Sequence, residues 1–199
     1  MRRFIVIGQK ARASPDFLLV DIPSTSGRLD VLLHALRAAL LVSHGVRADV
    51  IVYLVLLGDA NAVRTLRVEG SAARYLRPDE RSLATTLKKA FATPSAAAGF
   101  VPVRAGISIA NGGSETLLSE LQGCALYLLD QAGTDIRHVE FAQRDAAFVL
   151  GDHLGLSDAV RAEWLSRGAL PISVGPRQLH TQDVIGLVSN ELDRREPGC

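Results

Sequence analysis

Apolar residues recur along the chain at two spacings, and the alternation of these spacings predicts alternating strands and helices. The segments 3–8 and 49–57 are almost unbroken runs of apolar, β-branched residues, typical of strands covered on both faces. Leucines at helical spacing predict an amphipathic helix over 28–43. Further strands are predicted over 65–69, 101–104, 106–109, 125–130, 146–150 and 170–174, with a short one over 17–21, and further helices over 78–89, 115–122, 157–167 and 181–195. This order predicts an α/β fold with a mostly parallel sheet and helices on both faces.

Length and composition bound the architecture. The chain has 199 residues, of which 48% are hydrophobic and 22% charged. The hydrophobic share supports a packed core and excludes a disordered, collagen-like or low-complexity protein. The clearest interruption, the small-residue stretch 93–99, is too short to mark a domain boundary. We therefore expect a single domain over residues 1–199.

Charge and cysteine content narrow the partners and the compartment. The formal net charge is +1, which excludes a protein that coats nucleic acid or membranes through bulk charge. Cys124 and Cys199 are too few for a disulfide framework or a zinc site, and no histidine has a partner at metal-ligand spacing, so no metal is expected. The N-terminus lacks the apolar length of a signal peptide, and no apolar run is long enough to span a bilayer. We expect a cytoplasmic protein without a membrane partner.

Loops that follow predicted strands are the candidate ligand sites, because ligands of open α/β sheets bind beyond the carboxyl ends of the strands. Three such loops contain glycine: 131–133, 151–156 and 175–179. Glycine lets the backbone approach a ligand closely, so the loops indicate a small planar ligand held by backbone amides and aliphatic walls. Glycine in such connections is also common for purely structural reasons. No strand is followed by Gly-x-Gly-x-x-Gly and no P-loop motif occurs, so the usual nucleotide-binding motifs lack support.

A basic segment spans residues 64–89. It contains seven Lys or Arg residues against three Asp or Glu, an excess of four positive charges in a chain of net charge +1. Arginine suits phosphate because its planar guanidinium can donate two parallel hydrogen bonds. The same pattern fits a solvated helix face with ion pairs between successive turns, and both interpretations stay open. Few aromatic residues other than Tyr75 lie nearby, so sequence-independent base stacking is not expected.

Few side chains stand out as catalytic groups. Asp59 directly follows the strand over 49–57 and fits either a general base or a helix cap. His153 lies between the glycines of the loop 151–156, where it can orient that loop. Spacing alone supports neither a Ser, His and Asp set nor a cysteine nucleophile.

Several motifs occur in a characteristic order along the chain. They are Arg2–Gly8, Ser43–Arg47, Arg64–Ser71, Pro78–Ser82, Phe148–Leu156, Ile172–Pro176 and Asn190–Asp193. In these motifs and their order, the chain resembles the TrmY family of tRNA pseudouridine N1-methyltransferases in the SPOUT superfamily, related to the Nep1 ribosomal RNA methyltransferases. The resemblance covers essentially the full length and is more specific for the family than for the substrate.

The resemblance implies a fold and a cofactor. The C-terminal segment of such an α/β fold threads a loop to make a trefoil knot, which the general rarity of knots would not predict. A homodimer is implied, as is S-adenosylmethionine (SAM) bound in a bent shape, with S-adenosylhomocysteine as product. By position, the implied cofactor-binding residues are Leu128, Gly151, Val174, Gly175, Pro176, Arg177, Gln178 and Leu179. These positions coincide with the three strand-end loops.

The implied reaction is methylation of N1 of pseudouridine at position 54, in the T-loop of tRNA. N1 must lose its proton to attack the methyl group, so a carboxylate or a water has to accept that proton. We assign proton removal to Asp59, and we assign the holding of the RNA phosphate or base to Arg64, Arg67 and Arg81. Further RNA contacts are expected from Arg2, Arg3, Arg74, Lys88 and Lys89. The expected partner is tRNA or another pseudouridine-containing RNA.

Two positions depart from the usual pattern of archaeal members of the family. Val63 stands where proline is usual, and Val184 stands where cysteine is usual. Fold and cofactor survive such divergence better than substrate does. Two alternatives therefore stay open: the same chemistry on ribosomal RNA or another modified nucleotide, and a non-catalytic RNA-binding assembly factor that kept the fold.

Overall fold

A computed structural model describes residues 1–59, 62–94, 99–141 and 145–196. The strands are β1 (Arg2–Gly8), β2 (Leu41–Val42), β3 (Gly45–Val46), β4 (Val50–Leu56), β5 (Arg64–Glu69), β6 (Val101–Arg104), β7 (Ile107–Asn111), β8 (Ala125–Asp135), β9 (Ala146–Gly151) and β10 (Leu170–Ser173). The α-helices are α1 (Ile22–Thr25), α2 (Leu29–Leu40), α3 (Glu80–Phe91), α4 (Asp158–Ser166) and α5 (Thr181–Arg195), with short 3-10 helices at Ser114–Leu117 and Ile136–His138. The alternation predicted from the apolar spacing is thus confirmed.

Eight strands form one sheet in the order β10-β8-β9-β1-β4-β5-β7-β6. The five strands from β10 to β4 pair in parallel, and β5, β7 and β6 continue the sheet in antiparallel pairs. All five parallel strands therefore have their carboxyl ends on the same side of the sheet, which is called here the carboxyl edge. The opposite side, where these strands begin, is called the amino edge. Arg64 pairs with Leu56 and Glu69 with Ile51, so β5 starts at the carboxyl edge and ends at the amino edge.

The central strand β4 shows why helices cover both faces of the sheet. Every residue of β4 is buried, and its side chains alternate between two apolar clusters. Val52 and Leu54 lie in the larger cluster with the apolar residues of α2, α3 and α5. Tyr53 and Val55 lie in the smaller cluster with Trp164 of α4. The mostly parallel central sheet with helices on both faces is the predicted α/β architecture.

Three local predictions are wrong. The segment 115–122 forms a short 3-10 helix at Ser114–Leu117 followed by turns, although Leu117 and Leu121 are buried, because a segment this short does not sustain an α-helix on local propensity alone. The strand predicted over 17–21 is reduced to one bridge between Leu18 and Asp21. The turn predicted over 131–133 lies inside β8, where a Cβ on Gly133 would come within 2.5 Å of the Ile172 nitrogen in β10. That glycine therefore serves a close approach of two strands.

The described helices have lengths typical of a globular core. The longest, α5, has 15 residues. Within the four described segments, no helix is both long and apolar enough to cross a membrane.

Candidate functional site

A cavity of about 400 Å³ opens at the carboxyl edge beyond β8, β9 and β10. Its lining comes from the middle of β8, the carboxyl ends of β9 and β10, the segments that follow β9 and β10, and the first turns of α4 and α5. The predicted cofactor residues that line it are Leu128, Gly151, Val174, Gly175, Arg177, Gln178 and Leu179. Pro176 is not part of the lining; its carbonyl oxygen accepts a hydrogen bond of 2.6 Å from Gln131 Nε2. The structure therefore brings the predicted cofactor residues together around one concave site.

Two glycines shape the wall that follows β9. The chain folds back so that the Gly155 N–H donates to the Asp152 carbonyl oxygen at 2.9 Å. A Cβ on Gly151 would come within 2.2 Å of the Gly155 carbonyl carbon, and Gly155 itself has a φ of +74°. Only glycine tolerates both the close approach and the left-handed conformation without strain. The backbone of this turn consequently lies directly against the cavity.

Asp152 ties the cavity wall to the end of β1. Its side chain is 1% exposed and accepts backbone hydrogen bonds of 2.8 Å from both Gln9 and Leu154. The Gln9 side chain donates to the Gly155 carbonyl oxygen, also at 2.8 Å. Sequence reasoning selected this loop but missed the carboxylate, although an aspartate next to a strand-end glycine is the signal of a backbone clamp.

Thr181 joins the two walls that follow β9 and β10. Its hydroxyl, at the first residue of α5, donates a hydrogen bond of 2.8 Å to the Gly151 carbonyl oxygen. The Ser173 hydroxyl donates to the Gly175 carbonyl oxygen at 2.8 Å and so shapes the segment that leads to α5. Sequence reasoning assigned no role to either residue: Ser173 lies in the motif Ile172–Pro176 without standing out from it, and Thr181 lies in no motif.

An ion pair lies in the cavity, whose lining also includes leucines, polar side chains and exposed backbone. Arg161 of α4 donates through Nε and one Nη to Asp130 Oδ2, at 2.8 and 2.6 Å. The backbone N–H of Ala132, together with Arg161, holds the pKa of Asp130 below its ordinary value. The cavity thus offers a carboxylate, a guanidinium, backbone amides and leucine walls. Its volume lies in the range of small-molecule sites, and this donor set fits a nucleoside linked to a zwitterionic amino acid.

Asp59 lies at the carboxyl edge, directly after β4. The preceding residues anchor it, since the Leu57 and Gly58 N–H groups donate to the carbonyl oxygens of Gly8 and Ala11 at 3.0 and 2.9 Å. The side chain is exposed, and the next element in the described chain is β5 rather than a helix, which disfavours the helix-cap interpretation. In the strand order β9-β1-β4, β1 lies between β4 and β9, so these two strands are two strand spacings, about 10 Å in total, apart.

Arg64 and Arg67, predicted to hold RNA, are engaged by the protein itself. Arg64 donates to the carbonyl oxygens of Phe91 and Thr93 at the end of α3, both at 2.8 Å, and burial lowers its pKa. Arg67 pairs with Glu69 at 3.0 Å and with Glu120 at 3.2 Å. Arg64 of β5 therefore anchors the end of α3. Arg67, also in β5, forms ion pairs on one face of the sheet.

Tyr53 is buried and belongs to the same polar group as the half-buried Arg67. Its hydroxyl donates to Glu120 Oε2 at 2.9 Å. Burial, reinforced by the Glu120 carboxylate, raises the pKa of Tyr53 well above its ordinary value. The tyrosine therefore keeps its proton and donates it in a hydrogen bond within a partly buried polar group with Glu120 and Arg67.

Arg2 and Arg3 lie at the amino edge, away from the cavity. Arg2 is 5% exposed and forms ion pairs with Asp49, Asp193 and Glu196. Arg3 is half-buried and lies 3.5 Å from Asp145. Burial and these carboxylate partners weigh against the predicted RNA contact of Arg2, because a buried, fully paired guanidinium cannot reach a phosphate without breaking its ion pairs.

The remaining basic residues lie on α3 and the loop before it. Arg74, Arg81 and Lys89 are exposed. Lys88 instead donates to the Phe17 carbonyl oxygen at 2.7 Å, and its Nζ lies over the Phe17 ring in a cation–π contact. Since α3 starts beyond the amino-edge end of β5 and reaches Arg64 with its last turn, Arg81 lies at the far end of the helix from the carboxyl edge. The structure therefore does not gather the four predicted catalytic residues into one centre.

The described residues contain no group of three His, Cys, Asp or Glu side chains that could hold a metal ion. Cys124 is half-buried, and burial raises the pKa of its thiol, which disfavours the reactive thiolate. Cys199 lies outside the described residues.

A family model described as "Putative SAM-dependent RNA methyltransferase" matches residues 1–197. A tRNA (pseudouridine(54)-N(1))-methyltransferase of Methanosarcina acetivorans is 41% identical over 196 residues, covering 98% of this chain and 92% of the relative. The enzyme of the same name from Pyrococcus abyssi is 37% identical, covering 98% of each chain.

Among solved structures, the chain is similar in fold to Archaeoglobus fulgidus Nep1 bound to S-adenosylhomocysteine. The TM-score is 0.68 at 15% sequence identity, with 96% of this chain and 97% of Nep1 covered. The fold and the cavity are consistent with the family that the full-length sequence similarity shows. The chain belongs to the family of SAM-dependent RNA methyltransferases whose members include the tRNA (pseudouridine(54)-N(1))-methyltransferases.

Proposed function

We propose that this protein transfers a methyl group from SAM to N1 of pseudouridine 54 in tRNA. The observation that carries the proposal is the cavity at the carboxyl edge, lined by seven of the eight positions that the family resemblance implies for the cofactor. The names of the full-length relatives supply the nucleotide and the atom that is methylated.

The residues that would hold SAM divide by chemistry. Leu128, Leu179 and the backbone of Gly151 fit the flat nucleoside, and the Asp130–Arg161 pair fits the charged amino-acid end. When bound, SAM supplies a methyl group activated by a sulfonium. The chain's own contribution is to fix the orientation of this group, which can supply much of the reduction in barrier.

Proton removal from N1 is the step that this chain's residues must perform. The N1 lone pair forms the new N–CH3 bond, the S–CH3 electron pair returns to sulfur, and S-adenosylhomocysteine leaves. We assign the released proton to the Asp59 carboxylate, which lies at the same edge of the sheet as the cavity. The spacing of about 10 Å between β4 and β9 leaves room for a base between Asp59 and the cofactor wall.

The finer architecture is also part of the proposal. We place residues 1–199 in one domain, because β1 from the N-terminal half lies between β9 and β4 in a single sheet.

A trefoil knot is supported by the segment after β10, which hydrogen-bonds to β8 through Gln131 and to β9 through Thr181. A bulky domain fused at the C-terminus should then slow refolding by obstructing threading, whereas the same domain at the N-terminus should not.

A homodimer is supported by leucines at and beyond the cavity. Leu154, Leu179 and Leu187 are 48%, 42% and 41% exposed. We propose that they lie in the interface between two copies of this chain. Leu187→Arg should shift the sedimentation of the protein from dimer to monomer, whereas Leu118→Arg, at another exposed leucine, should not.

We expect the enzyme to work in the cytoplasm on tRNA.

Methyl transfer to defined RNAs tests the function. Purified protein and SAM are mixed with tRNA carrying pseudouridine or uridine at position 54, and digestion followed by mass spectrometry locates the methyl group. Methylation at N1 of pseudouridine 54, absent from the uridine control, is expected. Transfer only to pseudouridine-containing ribosomal RNA fragments would contradict the tRNA assignment. RNA binding without transfer to any of these RNAs would favour the assembly factor.

A further inference from the structure

Tyr75, in the loop between β5 and α3, has two unusual properties. Its side chain is 88% exposed, the largest value among the exposed large hydrophobic side chains of the described residues. Its φ is +58°, in the left-handed region that residues with a Cβ rarely adopt. An aromatic ring held in water on a strained backbone gains nothing for the fold.

The loop fixes this conformation from both sides. Ala73 is 3% exposed, and its N–H donates to the Glu69 carbonyl oxygen at 2.8 Å. Arg104 Nη2 donates to the Arg74 carbonyl oxygen at 2.9 Å. Strained backbone persists only where the surroundings enforce it, and such residues cluster at functional sites. The ring of Tyr75 is thus presented by a preorganised loop.

The surface around the ring is basic. A shallow depression of about 340 Å³ is formed by Tyr75, Arg77 and Arg81 with the first turns of α3. The nearby carboxylate of Asp79 accepts a hydrogen bond of 2.8 Å from the Ser82 N–H, which lowers its pKa and directs it to the helix end. Asp79 stays charged, but the depression is lined by two arginines against this one carboxylate and so carries a net positive charge.

Positive charge continues from this depression along α3. Arg81, Thr85 and Lys89 follow each other at intervals of four residues and so share one face of the helix. At 1.5 Å per residue, Arg81 and Lys89 are about 12 Å apart along the helix axis. This helix face therefore runs from the amino edge, where Tyr75 lies, towards the carboxyl edge, where the last turn of α3 contacts Arg64.

We propose that Tyr75, Arg77 and Arg81 form an RNA-binding site separate from the cofactor cavity, in which an unpaired base stacks on the Tyr75 ring and the arginines hold the adjoining phosphates. Stacking on an aromatic ring tolerates any base, and the planar guanidinium matches phosphate. The proposal departs from the sequence-based expectation that base stacking plays no part here. It rests on the proposed function only in taking tRNA as the RNA.

Direct binding to an unmodified tRNA transcript tests the site without requiring catalysis. Tyr75→Ala should weaken binding about tenfold. Arg77→Ala should reduce the slope of log affinity against log salt by about 0.7. Arg194→Ala, which removes an exposed arginine at the end of α5, is the matched control and should leave both quantities near the wild-type values.

Tyr75→Trp supplies a spectroscopic readout that a merely structural role would not move. The chain has one native tryptophan, Trp164, which is fully buried, so the new indole reports on the loop. RNA should quench its fluorescence, and the variant should bind RNA as tightly as the wild type because indole also stacks.

The outcomes separate this inference from the proposed function. An unquenched Tyr75→Trp, together with wild-type RNA affinity in Tyr75→Ala, overturns the site even if the enzyme methylates pseudouridine 54. Quenching and weakened binding support the site even if no methyl transfer is found. A wild-type protein that binds no RNA overturns both.

Discussion

The Thr181 hydroxyl donates a hydrogen bond of 2.8 Å to the carbonyl oxygen of Gly151 and thereby joins the first turn of α5 to the end of β9. Both residues line the cavity. The bond therefore fixes the separation of two cavity walls that are 30 residues apart in the chain.

Thr181→Val keeps the shape of the side chain and removes this donor. The Gly151 carbonyl oxygen is left without its partner, so we expect a loss of about 1 kcal/mol in the free energy of unfolding and about tenfold weaker S-adenosylhomocysteine binding. Calorimetric titration measures the affinity. Thr86→Val, which removes a similar hydroxyl bond within α3, is the control and should leave the affinity unchanged. Equal affinities in both variants would contradict the role of Thr181.

Asp152→Asn tests the clamp between β1 and the cavity wall. An amide can accept at only one of the two positions where the carboxylate accepts, so either the Gln9 or the Leu154 N–H loses its partner. We expect a loss of about 1–3 kcal/mol in the free energy of unfolding and a clear drop in cofactor affinity. Asp158→Asn, at an exposed position in α4, should change little. Denaturant unfolding and calorimetry on the two variants decide the point.

Asp59→Asn tests proton removal. The amide cannot accept the N1 proton, so kcat should fall by about 10²–10⁴-fold, while the affinities for tRNA and S-adenosylhomocysteine stay near the wild-type values. Single-turnover methyl transfer and separate binding measurements check the two parts. If kcat is retained, another group or a water accepts the proton and the assignment to Asp59 fails.

Asp193 should make stability depend on pH. Hydrogen bonds from Arg47, with a further contribution from Arg2, hold the pKa of Asp193 below its ordinary value. Its contribution is fully present above the unfolded pKa of about 4 and is lost as the pH falls through the lower folded pKa. Asp193→Asn should therefore cost about 1–2 kcal/mol at pH 7, and this difference should shrink towards zero in acid.

Urea unfolding of wild type and Asp193→Asn at a series of pH values measures that difference. Glu140→Gln, at an exposed carboxylate, serves as the control and should show little dependence on pH. A difference between wild type and Asp193→Asn that persists unchanged in acid would show that Asp193 acts without its charge.

The alternation of elements was predictable because apolar spacing is a local property. The runs over 3–8 and 49–57 became β1 and β4 within one residue, since their side chains are buried on both faces. The turn predicted at 131–133 failed because Gly133 serves a non-local contact with Ile172. A single sequence does not reveal which glycines respond to a distant strand.

The candidate site divides in the same way. Glycine loops and family resemblance selected positions that line the cavity. Thr181 acts through a partner that is 30 residues away in the chain and carries no local signal. Asp152 does carry a local signal, its place next to Gly151, but its partner Gln9 is 143 residues away. Arg64 and Arg67 fitted a phosphate-binding pattern by charge, yet Arg64 donates to carbonyl oxygens at a helix end and Arg67 forms ion pairs with two glutamates. Charge patterning identifies available cations but not the groups that already occupy them.

Calorimetric titration of the purified protein with S-adenosylhomocysteine tests the central claim, that the cavity at the carboxyl edge is the cofactor site. We predict one binding site per chain and about tenfold weaker binding by Thr181→Val. Absence of binding at millimolar ligand, or equally tight binding by wild type, Thr181→Val and Asp152→Asn, would contradict this account.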